Sequence, residues 1–178
     1  TVDISPEGRV TQVELADPLP EPMAVLMRQE IGTWAFTPAK VDDEAVPSRT
    51  HIAYTLRARA LESGEYGVEI VDVRSGPRLR SQGGLHYPEQ ALRRGIQGTV
   101  YLALTIAPDG SVADVDSQER SDVHAVLVTA ARRAARTWQF EPEQIEGRPV
   151  QGRVIVPVQF CLEHLGNDCR ATRIDTVG

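Results

Sequence analysis

"TWQFEP", at residues 137–142, has a cousin in "TWAFTP", at residues 33–38. The chain holds two tryptophans in 178 residues, and both stand in this six-residue frame. Trp34, Phe36 and Pro38 match Trp138, Phe140 and Pro142 at a spacing of 104. Upstream, "ISPEGRV" (4–10) matches "IAPDGSV" (106–112) at a spacing of 102. Downstream, "VDDEAVPSRTHIAYTL" (41–56) aligns with "IEGRPVQGRVIVPVQF" (145–160), again at 104. The two-residue change falls between these blocks, where a connection absorbs it. Self-similarity at a fixed spacing marks a repeated structural unit. Two tandem copies are therefore expected, over 1–78 and 79–178. The first is incomplete: it lacks a counterpart of "YPEQALRRGIQG" (87–98).

The second copy shows the local physics best. Tyr87-Pro88 is expected to open a short helix, with proline at the first helical position, where its missing amide hydrogen is not needed. Ala91 and Leu92 supply its apolar side, and Gly95 ends it. Val100, Leu102, Leu104 and Ile106 then alternate with Thr99, Tyr101, Ala103 and Thr105, a strand with one buried face. "APDG" (107–110) has turn chemistry, and a second strand runs through Val112 and Val115. Val123, Val126, Leu127, Ala130, Ala134 and Trp138 recur at three- and four-residue steps, the stripe of a helix packed on a sheet. Copy one has the thinner stripe Met23, Leu26, Met27, Ile31 and Trp34. A final strand alternates through Val154, Val156, Val158 and Phe160, and through Ile52, Tyr54 and Leu56 in copy one. Each unit is an α+β fold, a small antiparallel sheet with helices on one face. Trp34, Phe36, Trp138 and Phe140 are expected to plug the two cores. Beyond each final strand a turn and a returning strand are expected, Tyr66–Val73 in copy one and Arg170–Val177 in copy two.

Composition narrows the class. A hydrophobic content of 41% with 25% charged residues suits a globular chain. No apolar run reaches the length of a membrane span. No signal-peptide pattern opens the chain, and strand-like alternation from Thr1 places the expected natural start upstream. The net charge of −6 argues against nucleic acid as a partner. Cys161 and Cys169 lie close together, which suggests a disulfide and an oxidising compartment; two free thiols are the alternative.

The ordered set of Tyr-Pro (87–88), Gly-x-Val (98–100), Asp-Gly-x-Val (109–112), Trp-x-Phe-x-Pro (138–142) and the closing strand resembles the TonB C-terminal domain family across 87–162. Residues 1–56 resemble the same family without the Tyr-Pro segment. The resemblance implies a non-enzymatic protein-interaction domain of the Gram-negative periplasm, tethered to the inner membrane by a segment outside this chain. It also implies an envelope partner, such as a receptor peptide from an outer-membrane TonB-dependent receptor. The peptide would pair with the final strand, Val154, Ile155, Val156, Pro157, Val158, Gln159 and Phe160, with Tyr87 and Pro88 nearby. Similar domains occur in the extracytoplasmic parts of membrane-bound sensor peptidases, so a regulatory portion of such a protein is the alternative.

Other chemistry finds little support. His51, His86, His124 and His164 are scattered, without a paired helical spacing. "CLEHLGNDC" offers Cys161, His164 and Cys169, whereas a structural zinc takes four ligands. The glycines of "RSQGG" and "GLHYP" lack the strand–loop–helix frame of a phosphate site and read as a linker. No serine, cysteine or carboxylate pair sits in a catalytic spacing. No metal, cofactor or enzymatic activity is expected. Arg132, Arg133 and Arg136 read as a solvated helix face, and Asp42 and Asp43 read as solvated acids that follow a turn.

Overall fold

The structure, a computed structural model, describes residues 1–16, 19–60, 62, 66–117 and 123–162. The chain divides into two compact units, Thr1–Ser75 with Ile145–Gly147, and Gly76–Gln144 with Arg148 onward.

The first unit holds β1 (Val2–Ile4), β2 (Val10–Val13), α1 (Glu21–Gly32), β3 (Ala39–Val41), β4 (Glu44–Val46), β5 (Ser48–Ala60) and most of β6 (Tyr66–Gly76). β1 lies between β2 and β5, antiparallel to both, and β6 pairs with β5. The returning strand expected after the first copy's final strand is therefore present. Val2, Ile4, Met27 and Ile31 form the buried core, with Trp34, Phe36, Ile52, Tyr54 and Leu56 half-buried around it. Leu26, expected on the apolar stripe, is 64% exposed. Ala24 takes the buried place beside Met27 instead, because the small side chain lets α1 approach the sheet closely.

The second unit holds β7 (Arg78–Ser81), α2 (Glu89–Arg93), β8 (Gly98–Ile106), β9 (Val112–Ser117), α3 (Ala125–Ala135), β10 (Gln139–Glu141), the first residue of β11 (Gln144–Ile145), β12 (Arg148–Pro149) and β13 (Gly152–Phe160). β8 is central, antiparallel to β13 and β9. One face of the sheet, made by Val100, Leu102, Leu104, Ile106, Val154, Val156, Val158 and Phe160, is buried against Leu127, Ala131 and Ala135 of α3. Trp138 sits in this core with no exposure, and Phe140 is 3% exposed. The architecture is α+β, as expected, and the buried face alternates along each strand as a half-buried sheet requires.

Several local expectations are corrected. Pro88 is the N-cap of α2 rather than its first helical residue. Leu92 faces outward and Ala91 alone is buried, since a five-residue helix has room for one residue on its inner side. Its end follows the reading: the Gly95 and Ile96 amides return to the Leu92 and Ala91 carbonyls, the paired bonds of a Schellman end. Asp42 and Asp43 form the β3–β4 turn itself, with φ of 49° and 67°. Arg132 is not wholly solvated; its guanidinium donates to the Val115 carbonyl at 2.9 Å and ties α3 to β9. β7 runs into the stretch read as a linker, which holds its Arg80 and Ser81, and Leu79 just before that stretch lies opposite Phe140.

One set of bonds appears in each unit. The Phe36 amide donates to the Gly8 carbonyl and the Phe140 amide to that of Gly110, both at 2.8 Å. The Trp34 amide closes on Ile31 and the Trp138 amide on Ala135, both at 3.1 Å. The hydroxyls of Thr33 and Thr137 donate to carbonyls three residues back. Val2 faces Thr50 and Leu104 faces Val154; Ile4 faces Ser48 and Ile106 faces Gly152. The irregularity between Asp3 and Ile4 recurs between Thr105 and Ile106. Glu146 and Gly147 take φ of 51° and 73°, close to those of Asp42 and Asp43.

Candidate partner-binding edge

β13 is built to be an edge. Its residues pair with β8 along their whole length, from Gly152 opposite Ile106 to Phe160 opposite Gly98. Among the described residues, no strand runs along its other side. Val154, Val156, Val158 and Phe160 are buried, so these side chains serve the core rather than a partner. Ile155 and Pro157 are half-buried and Gln159 is exposed on the opposite face.

Pro157 shows which backbone groups point out. A proline within a sheet is tolerated where its missing donor faces away from the ladder. Backbone groups alternate sides along an antiparallel strand, so Arg153, Ile155 and Gln159 share Pro157's outward direction. The start of this edge is covered: a Cβ on Gly76 would stand 3.7 Å from the Arg153 carbonyl oxygen, and one on Gly152 would meet Pro77 at 2.7 Å. Pro77 is itself fully buried. The uncovered run thus begins after Arg153.

Tyr87 stands at the far end of this strand. Its ring meets that of Phe160 edge to face, with centroids 5.4 Å apart and planes at 87°, a favourable aromatic geometry. The Tyr87 hydroxyl donates to the Ile96 carbonyl, and burial pushes its pKa up. Pro88 is half-buried and accepts the Leu92 amide at 2.9 Å. The fold therefore brings Tyr87 to the last residue of β13, while Pro88 anchors α2. Beyond the strand, the Leu162 amide donates to the Gln97 side chain at 2.8 Å, and Leu162 is buried. Sequence reading missed Gln97, because a polar residue after a turn carries no signal that it will anchor a distant strand. Cys161 is half-buried just after β13. Cys169 and the second expected returning strand, Arg170–Val177, lie outside the described residues.

Trp138 and Phe140 lie beneath the opposite end of the unit, where they shape it without facing a partner. The Trp138 indole nitrogen is buried without a hydrogen-bond partner among the described residues. Gly83 approaches Thr137 so closely that a Cβ there would overlap the threonine hydroxyl. The glycine pair of "RSQGG" thus includes a packing position, a role that the linker reading did not contain.

Residues 84–162 match the family described as Gram-negative bacterial TonB protein C-terminal. This part of the chain is similar to the C-terminal part of TonB proteins, which are energy transducers and not enzymes. Among similar proteins, Protein TonB of Xanthomonas campestris pv. campestris (strain B100) is 42% identical over 76 residues, covering 43% of this chain and 34% of the relative. Protein tonB2 of Pseudomonas aeruginosa is 37% identical over 76 residues, covering 43% and 28%. Protein TonB of Escherichia coli (strain K12) is 30% identical over 86 residues, covering 48% and 34%. The chain thus spans about a third of the length of the curated relatives it matches. Among the described residues, no helix is long and apolar enough to cross a membrane.

Proposed function

We propose that the chain is a periplasmic protein-interaction module made of two tandem TonB-type units, over 1–78 and 79–178. The second unit captures an extended peptide of an envelope partner by strand addition to β13. An outer-membrane TonB-dependent receptor is the partner class we favour, with the module held to the inner membrane by a segment outside this chain. The observation that carries the reading is the β13 edge: a nine-residue strand, paired on one side among the described residues, within the stretch that matches the TonB C-terminal family.

Strand addition draws its affinity from main-chain hydrogen bonds and its specificity from alternate side chains. The amides of Ile155 and Gln159 and the carbonyls on the same side supply the bonds. Pro157 leaves a gap between the two donors, which sets the peptide's register. The Tyr87–Phe160 ring pair closes the end of the strand, and the half-buried Tyr87 is the ring left to meet a peptide that runs beyond it. Support for the tandem reading comes from the bond set and register shared by the two units, which a family match to 84–162 alone does not require.

The test is calorimetric titration of a receptor box peptide into the chain and into its Gln159→Pro variant. The substitution removes one outward donor and leaves the β8 ladder intact, so binding should weaken by about tenfold with little change in thermal unfolding. Deleting 170–178 should strengthen binding if the returning strand masks this edge. Equal binding by the chain and by Gln159→Pro refutes the edge, and equal binding by the chain and the deletion refutes the mask.

A further inference from the structure

The two Trp-x-Phe-x-Pro segments differ in what lies beside them. In the second unit β7 runs antiparallel to β10, with Ser81 opposite Gln139 and Leu79 opposite Phe140. Leu79 packs against the core beside Phe140, and Trp138 and Phe140 are closed off from solvent. The corresponding segment of the first unit carries the same inward bonds. Ala35 bridges to Arg9, and the Phe36 amide is held by Gly8. Among the described residues, no strand runs along its other side. Trp34 and Phe36 remain half-buried, and Ala35 and Thr37 are exposed. Because the Phe36 amide points inward, alternation turns the amides of Ala35 and Thr37 outward.

We propose that the Ala35–Thr37 edge is a second strand-acceptor site, taken by an extended segment of a partner protein in which an apolar residue is flanked by arginine or lysine. The inference rests on the tandem reading. Two observations choose the occupant. The equivalent edge of the second unit holds Arg78-Leu79-Arg80, which shows the kind of strand that fits a Trp-x-Phe-x-Pro segment: its leucine covers the phenylalanine and its arginines stay outside. Charge points the same way, since residues 1–75 carry 13 acidic against 7 basic side chains, a field that attracts a basic strand. The bound segment pairs with the outward amides, and its apolar residue closes over Trp34 and Phe36.

The experiment uses the full chain and a fluorescently labelled peptide of residues 77–88, PRLRSQGGLHYP, as the probe. Anisotropy measures affinity and amide NMR locates the site. Saturable binding is expected, with shifts at the Ala35 and Thr37 amides. A peptide carrying Leu79→Asp and a chain carrying Thr37→Pro should each bind about tenfold or more weakly, as loss of a well-made contact or hydrogen bond implies. Absence of binding overturns the proposal, as does binding that both changes leave unaltered. Shifts at Gln139 and Glu141 instead, with the probe replacing β7, also overturn it. So does concentration-dependent dimerisation of the chain through its own Arg78–Ser81, which makes a second copy the occupant. Hydrogen exchange at the Phe36 amide separates the two failures. Slow exchange without peptide binding leaves the tandem reading standing and removes the docking site, whereas fast exchange removes the tandem reading itself.

Discussion

Replacing Gly110 by alanine should destabilise the second unit far more than a turn glycine normally does. Gly110 has φ of +82°, and its added Cβ would overlap the Phe140 carbonyl oxygen. The left-handed backbone costs an alanine about 1–2 kcal/mol. Relieving the overlap requires Gly110 and Phe140 to part, which breaks the 2.8 Å bond between the Phe140 amide and the Gly110 carbonyl. Leaving a buried backbone pair unmade adds about 1–3 kcal/mol. The sum is about 2–5 kcal/mol, a large share of the stability of a small domain. Gly147 supplies the control: its φ is +73°, yet nothing lies within 4 Å of an added Cβ. Gly147→Ala should therefore cost only the backbone part, about 1–2 kcal/mol. Gly8, at φ +78° against the Phe36 carbonyl, should behave like Gly110 in the first unit. Urea unfolding reads Gly110→Ala through the fluorescence of Trp138, isolated by Trp34→Phe, and reads Gly147→Ala, which lies in the first unit, through circular dichroism of the whole chain. If Gly110→Ala costs no more than Gly147→Ala, the close approach of turn to Trp-x-Phe-x-Pro segment is not what holds the unit together.

The tryptophans themselves should separate. Trp138→Ala should cost about 3–5 kcal/mol, as large aromatic truncations in cores do, and Trp34→Ala only about 0.5–3 kcal/mol, the ordinary range for a half-buried site; denaturant midpoints of the two variants decide it. Acid should weaken the first unit through Asp3, whose carboxylate accepts from Arg49 at 2.6 and 2.8 Å. The hydrogen bond from Arg49, opposed in part by desolvation, holds its pKa below the usual value. A depressed folded pKa means the contribution is complete above the unfolded value of about 3.9 and is lost as pH falls through the folded one. Asp3→Asn should flatten the pH dependence of unfolding below pH ~4, and an unchanged slope refutes the assignment. Thiol titration of the unfolded, unreduced chain should find no free sulfhydryl, because Cys161 and Cys169 are expected to be bridged; a bridge closing so short a loop contributes about 2–3 kcal/mol in the chain-entropy model.

Much of this protein was decided locally, and the sequence alone carried it. The alternation of Val100 to Ile106 and of Val154 to Phe160, the "APDG" turn, the α3 stripe and the position of Trp138 all follow from period and turn chemistry. Those signals lie within a few residues of the structure they specify. The repeated spacing between the two Trp-x-Phe-x-Pro frames was also legible, because a conformation that requires glycine at positions 8 and 110 and proline at 38 and 142 leaves its imprint on residue type.

Only the tertiary structure decided what depends on distant partners. β7 carries no local signal, because Leu79 among arginines has no strand pattern until Phe140 is placed opposite it. Leu26 and Leu92 matched apolar patterns but face outward, since Ala24 and Ala91 allow closer packing at the positions that matter. Gln97 and Arg132 gained their roles from Leu162 and Val115, neighbours that no local window contains. The pairing of Tyr87 with Phe160 came from the closing of β13 against β8. Hydrophobic period chooses which face of an element is buried, whereas the choice among residues on that face, and the polar anchors around it, is made by the shape of what packs against it.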